Sequence, residues 1–261
     1  MSEGGVDMYT LFIVGTAGSG KSTITSAFSD WLKAQEQSTL LVNLDPAAQV
    51  LPYEPDVDIR DYVDYERIMA ARKLGPNAAL IASVREAARY VEGLAEEVRS
   101  FSPDLVLVDT PGQLELFAFR QEGQILAENI GEEGRKAMIF VLDSIFCTSV
   151  RNFVSSMFLS ASIYFTFGLP MIHVLNKIDA VSEEQLERIE GWVDSFDSLL
   201  LDLENTMNGG LMVLSKEVAH AVHDIIMSMP IIPTSSITMD GFPELHATIT
   251  RFLSEGEMEL R

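Results

Sequence analysis

The stretch "LFIVGTAGSGKS", residues 11–22, decides how the rest of the chain is read. It opens with four apolar residues, a strand buried on both faces. Gly15, Gly20, Lys21 and Ser22 follow at the spacing GxxxxGKS. Glycines there let backbone N–H groups turn inward around a β-phosphate. A helix starting at the same point offers its positive end to the anion. Lys21 can reach the β- and γ-phosphates, and the Ser22 hydroxyl suits Mg²⁺. Gly18, Ser19 and Thr23 complete the set of candidate nucleotide contacts. A dinucleotide loop is excluded, because glycines at 15, 18 and 20 do not form GxGxxG and Lys-Ser follows at once. The loop calls for a nucleoside triphosphate.

Working outward, aliphatic runs at 9–14, 39–44, 104–109, 137–143, 171–176 and 230–234 predict six strands, separated by helical stretches. That alternation predicts an α/β class P-loop NTPase fold: a mostly parallel central sheet with helices on both faces. Helices are expected over 20–35, from Ser182 onward and over about 215–229. Ser182 and Gln185 have capping-box spacing, and Leu186, Ile189, Val193 and Phe196 recur at helical intervals. The aromatic run 151–168 reads as a buried helix, His173 as a core histidine inside a strand, and Cys147 as packing. No linker divides residues 1–261. One domain is expected, with two mainly helical insertions at about 50–100 and 182–229.

The 261 residues are 47% hydrophobic and 22% charged, as in ordinary globular proteins. No apolar run approaches the roughly 20 residues of a membrane span. "MSEGGVDMYT" has neither the basic region nor the apolar core of a secretory leader. A lone cysteine fits a reducing compartment, so a cytoplasmic protein is expected. Its 39 acidic and 18 basic residues give a net charge of −21, which repels nucleic acid and anionic lipid. A basic protein partner or an acidic, salt-adapted proteome would account for that surface, and the second is favoured.

Three further loops follow in order. "NLDPA" puts Asp45 at a strand end, where ligands of open α/β sheets bind. It is a candidate for the Mg²⁺ shell or for the attacking water, with a turn cap as the plain alternative. "LVLVDTPGQLE" offers Asp109 for Mg²⁺ through water, the Gly112 N–H for a γ-phosphate, and Gln113 where many GTPases orient water. Glu115 points into the same loop. "MIHVLNKIDA" supplies Asn176, Lys177 and Asp179. A carboxylate at Asp179 accepts from both N1–H and the 2-amino group of guanine, a pair that adenine lacks. Lys177 can lie over the base or the phosphate loop, and Asn176 can tie loops together. "PTSS" brings the backbone N–H groups of Ser235 and Ser236 toward the guanine O6. The substrate reads as GTP with Mg²⁺.

With Gly75-Pro76-Asn77 in "KLGPNA" between the second and third loops, the ordered set resembles the GPN-loop GTPases, archaeal members included, over about residues 9–250. The resemblance implies a dimer in which each Gly-Pro-Asn loop reaches the partner's site. By it, Asn77 would approach the γ-phosphate, Gln113 and Asp45 would position water, and Glu115 would hold the loop through Asn77. It also implies a slow GTPase that acts as a conformational switch, with assembly of a protein complex such as RNA polymerase as a role. Thr16 and Ala17 stand where some relatives carry a dimer-activating lysine, so that device is absent. A glycine at 75 was expected to permit a tight backbone.

Two other functions are open on sequence. A GTP- or ATP-dependent small-molecule kinase would need a basic acceptor pocket, but the basic residues of 50–100 are scattered. A nucleotide-stabilised scaffold would not need Gln113 and Asp45.

Overall fold

The structure, a computed structural model, describes residues 8–131, 134–206 and 214–254. Most of the leader reading, residues 207–213 of the second insertion and the C-terminal end of the chain lie outside the described residues.

Seven strands form one sheet: β1 (Tyr9–Gly15), β2 (Thr39–Asn43), β3 (Val57–Asp58), β4 (Leu105–Asp109), β5 (Arg135–Asp143), β6 (Met171–Asn176) and β7 (Ile231–Pro233). Their order is β3-β2-β4-β1-β5-β6-β7, and every neighbouring pair is parallel. All six expected strands are present. The sheet is wholly rather than mostly parallel, and β3 was not anticipated. Two residues carry no periodicity, and β3 exists because Val57 and Asp58 pair with Val42 and Asn43 at the sheet edge.

The helices, in chain order, are α1 (Lys21–Ala34), α2 (Tyr65–Arg72), α3 (Pro76–Ala87), α4 (Val91–Ser100), α5 (Leu114–Ala118), α6 (Gln121–Asn129), α7 (Ser144–Cys147), α8 (Val150–Phe167), α9 (Glu183–Asp194), α10 (Phe196–Thr206), α11 (Ser215–Ser228) and α12 (Phe242–Ser254).

Strand side chains alternate between faces, and β1 buries both. Leu11 and Ile13 meet Phe28 and Leu32 of α1 and Leu245 of α12, while Phe12 and Val14 join the core that includes Leu94 of α4 and Phe153 of α8. Each fully buried side chain of this size stabilises the fold by about 1.5–3 kcal/mol. Parallel register sets the functional edge. Ile13 aligns with Asp109 and Ile139, and Asp143 aligns with Asn176. The carboxyl ends of the central strands therefore emerge side by side.

His173 is fully buried, with Nε2 2.7 Å from Ser160 Oγ and Nδ1 3.3 Å from the Met229 carbonyl. Burial depresses its pKa to about 4, which keeps it neutral. Cys147 is buried too, and burial raises its thiol to about 12. Both behave as packing groups. Helix α8 is only partly hidden: Phe153 and Met157 are fully buried, but Phe158 and Phe165 are 41% and 83% exposed.

In the second insertion Ser182 forms both bonds of its capping box, accepting from the Gln185 N–H and donating its own N–H to Gln185 Oε1. The series Leu186, Ile189, Val193, Phe196 does not stay on one helix. Ser195 adopts an extended conformation, and its hydroxyl accepts from the Ser198 N–H, so Phe196 begins α10. Asp202 then clamps α9 to α10, accepting from Trp192 Nε1 at 2.7 Å and Arg188 Nε at 2.8 Å. Replacing Ser182 with Ala removes the cap. It is expected to destabilise the protein by about 1 kcal/mol and to lower the thermal midpoint by roughly 2–4 °C, with nucleotide binding unchanged.

Candidate functional site

Gly20 is where the phosphate loop depends on an absent side chain. It caps α1 at φ +97°, and a Cβ there would lie 2.5 Å from Asn176 Nδ2. Among the described residues no side chain caps α1, so its first N–H groups are left for a ligand. Lys21 is 6% exposed and donates to the carbonyls of Gly15 and Thr16 at 3.0 and 3.1 Å. Burial pulls its pKa below that of a free lysine, against the opposing pull of Asp109 and Asp45. Ser19 is buried, whereas Gly18 and Thr23 are exposed and Ser22 is half-buried.

Beside this loop, the Asp45 carboxylate accepts from the Ala47 N–H at 2.9 Å through Oδ1 and from the Gly112 N–H at 3.2 Å through Oδ2. The N–H assigned to a γ-phosphate is therefore held by Asp45. The Asn43 side chain accepts from the Asp45 N–H and donates to Asp58, which pairs with Arg60. Arg60 Nη1 in turn donates to the Ala48 carbonyl. The Arg60 guanidinium thus serves the Asp45 loop. Burial raises Asp58, but the Arg60 and Asn43 bonds outweigh it and leave its pKa lowered.

Asp109 is 1% exposed. Burial pushes its carboxyl up to about 6 and Asp45 adds to the rise, while the Ser22 and Tyr53 hydroxyls and the Lys21 ammonium pull it down. Tyr53 donates to Oδ2 at 2.9 Å, and among the described residues Oδ1 has no hydrogen-bond partner. That orphaned buried oxygen, next to a serine hydroxyl, is a donor set that fits Mg²⁺, which takes few protein oxygens and leaves the rest to water and phosphate. Among the described residues no group of three or more His, Cys, Asp or Glu gathers as a cage. Tyr53 was missed in the sequence, where a tyrosine after Pro52 carries no motif.

The Gly-Pro-Asn tripeptide joins α2 to α3, and all three residues are exposed. Gly75 has φ −73°, and a Cβ there would meet nothing within 4 Å. The backbone freedom expected of Gly75 is not used here, since any residue adopts that conformation. Pro76 takes the first helical position, where its missing N–H is harmless. Leu80 and Val84 of α3 pack on Leu116 of α5, which sets Asn77 over the Asp109–Glu115 loop. There Gln113 Nε2 donates to Asn77 Oδ1 at 3.2 Å within the same chain. Within the chain Asn77 is thus held by Gln113, and Glu115 shares the cavity. That cavity, of about 330 Å³, is lined by Thr16, Asn77, Gly112, Gln113, Glu115 and Leu159 among others.

The opposite end is tied just as tightly. Asn176 Nδ2 donates to the Ser19 carbonyl at 3.2 Å, and its Oδ1 accepts from Ser236 Oγ at 2.9 Å. Lys177 adopts φ +67° and donates to the Gly18 carbonyl at 2.6 Å and to Asp143 at 2.7 Å. Of its two expected positions it takes the one over the phosphate loop. The Asp143 partner was not foreseen, although an aspartate ending β5 was a signal that could have found it. Exposed Asp179 accepts from Ser235 Oγ at 2.5 Å. The Ser235 N–H donates to the Asp240 carbonyl, so it is already engaged, contrary to expectation. Among the described residues the Ser236 N–H has no protein acceptor and is the one left for a ligand.

Comparison with known proteins supplies the family. A sequence profile described as "Conserved hypothetical ATP binding protein" matches residues 13–255. A GPN-loop GTPase of Pyrococcus abyssi is 32% identical over 236 residues, which cover 89% of this chain and 92% of the relative. The chain belongs to the GPN-loop GTPase family. GPN-loop GTPase 1 of Dictyostelium discoideum is 30% identical over 92% of this chain, which spans 60% of that longer relative. The apo crystal structure of the Pyrococcus abyssi GTPase superposes with a TM-score of 0.85 at 28% identity, covering 96% of this chain and 99% of that one. The fold is accordingly that of a P-loop GTPase.

The Asp109 carboxyl makes a prediction with a definite sign. Its folded pKa of about 6 lies above the ordinary 3.8. Folding therefore favours the protonated form. The penalty is absent below about pH 4, grows as pH rises toward 6, and is complete above it. Without Mg²⁺ and nucleotide, Asp109→Asn is expected to be the more stable protein above pH 6, by on the order of 2 kcal/mol. The difference should vanish near pH 4. Urea unfolding at a series of pH values measures it.

Proposed function

We propose that the chain is a Mg²⁺-dependent GTP phosphohydrolase that works as a homodimer and as a nucleotide-dependent conformational switch in the cytoplasm. Membership of a GTPase family supports hydrolysis. The observation that carries the choice of nucleotide is the pair of ties from Asn176 and Lys177 to the phosphate loop, which fasten the segment carrying Asp179. The matching profile's description names ATP. A carboxylate at the base end favours guanine, which presents two donors to it, over adenine.

In this reading the phosphates lie along the N–H groups of the phosphate loop and the start of α1, with Lys21 turning from the Gly15 and Thr16 carbonyls to the β- and γ-oxygens. Mg²⁺ bound near Ser22 and Asp109 would neutralise charge on the transferring phosphoryl group. A γ-phosphate taking the Gly112 N–H must displace Asp45 Oδ2. Once released, Asp45 can orient the attacking water together with Gln113. Gln113 must likewise leave Asn77. Two clasps, Asp45–Gly112 and Gln113–Asn77, are therefore the contacts that differ between GTP and GDP states, and they are the basis of the switch.

Across a dimer, the Asn77 amide of one protomer would complete the site of the other. The bareness of Gly75, which its own backbone does not require, suits close approach by a second chain. Glu115 stays at the rim of the same cavity as a supporting acid. Residues 1–261 act as one domain in this scheme, with the two insertions as its moving and partner-facing parts. The role proposed is assembly of a protein complex such as RNA polymerase. Among the described residues, the lining of the cavity beside Asn77 and Gln113 includes no lysine or arginine, which speaks against a kinase with an anionic acceptor.

Phosphate release with GTP and with ATP, together with mass in solution, tests this. Wild type is expected to be a GTP-preferring dimer. Asn77→Ala should stay dimeric and lose about 10²–10³-fold in turnover, the scale of one lost polar group at a transition state. Equal turnover would remove Asn77 from the mechanism. In a binding assay, Asp179→Asn should weaken GTP by at least about 100-fold, as two charge-assisted bonds are lost, and should improve binding of xanthosine triphosphate.

A further inference from the structure

Tyr53 lies in the segment between β2 and β3, which is fastened on both sides of it. The Ser26 hydroxyl of α1 donates to the Pro52 carbonyl at 3.0 Å. Asp56 exchanges two bonds with Leu41 of β2: its N–H donates to the Leu41 carbonyl, and its Oδ2 accepts from the Leu41 N–H, both at 2.8 Å. The ring packs against the core beside α1, so few rotamers are open to it. Its hydroxyl ends 2.9 Å from Asp109 Oδ2.

This contact settles the orientation of a carboxylate that would otherwise rotate. One oxygen is fixed by a neutral donor that adds no charge to the site. The other, Oδ1, is buried with no hydrogen-bond partner among the described residues. We propose that Tyr53 is a positioning residue of the magnesium–nucleotide site, holding Asp109 so that Oδ1 is presented to the hydrated cation. Tyr53 acts through Asp109 and touches neither substrate nor metal in this assignment. It also gives the first insertion, which carries Asn77, a direct tie to the metal side of the site. The inference rests on the Mg²⁺–GTP reading above.

The test follows release of a fluorescent GDP analogue from the full chain, from excess chelator to saturating magnesium chloride. Tyr53→Phe keeps the ring and removes only the donor. Wild type is expected to release the analogue more slowly as Mg²⁺ rises. Tyr53→Phe should match it in chelator, while the Mg²⁺ concentration for half-maximal slowing rises by about tenfold, the low end for an outer-shell partner. In an Asp109→Asn background the same change should add nothing, because the carboxylate it orients is gone.

An unshifted Mg²⁺ half-point in Tyr53→Phe overturns the proposal. So does a release rate altered equally with and without Mg²⁺, which would mark the phenol as loop packing. A wild type indifferent to Mg²⁺ is a separate result, and it overturns the underlying magnesium–nucleotide reading itself.

Discussion

The amide of Asn176 joins residues far apart in sequence: the phosphate loop through the Ser19 carbonyl and the last loop through Ser236 Oγ. It can do so because parallel register brings the end of β6 level with Asp143 on β5, one strand from the Gly15 end of β1. It also needs Gly20 without a side chain, since a Cβ would collide with its nitrogen. The phosphate loop and the loop that would face the base are thus tied into one unit. Lys177 doubles the tie through the Gly18 carbonyl and is itself oriented by Asp143. A buried amide with both ends engaged contributes only about 1 kcal/mol per bond to stability, whereas leaving either end unpaired costs more. Its effect is geometric: it sets the spacing between Asp179 and the phosphate loop.

The other end of the site is held by weaker, replaceable contacts. Asp45–Gly112 and Gln113–Asn77 are both 3.2 Å long and half-exposed or exposed. An arriving anion with full charge can displace a carboxylate from a backbone N–H at modest cost, because that donor keeps a partner throughout. Rigidity at the loop that would choose the base, with exchangeable bonds where a γ-phosphate would arrive, is the distribution the proposed switch needs. The first insertion is connected to both the exchangeable loop, through Asn77, and the buried Asp109, through Tyr53.

How much of this was legible follows from the physics of each part. The six longer strands could be read because strands buried on both faces are continuously apolar, and the phosphate loop because its residues serve each other within a short stretch. The order of the nucleotide loops was legible for the same reason. What escaped reading depends on contacts between distant segments. β3 is two residues whose only cause is pairing with β2. The split at Ser195 turns on one hydroxyl bonding ahead to Ser198, which helical spacing does not register. Gly75 offers a backbone freedom that its conformation in the chain does not use. Tyr53 acquires a role only when the fold brings it to Asp109, 56 positions away. The engaged Ser235 N–H likewise depends on Asp240 closing its own loop.

Charge shows why the metal belongs in the reading at all. Around the nucleotide loops stand Lys21 and Lys177, against Asp45, Asp109, Asp143 and Asp179. Both lysines already donate to carbonyl oxygens of the phosphate loop, and Lys21 is further weakened as a cation by burial. The chain as a whole carries −21. A bare nucleoside triphosphate would meet net repulsion here, and backbone N–H groups at a helix start offset only part of it. A divalent cation held near Ser22 and Asp109 would offset that charge. In the proposed function, the carboxylate that is a liability to the empty fold would then make nucleotide binding depend on Mg²⁺.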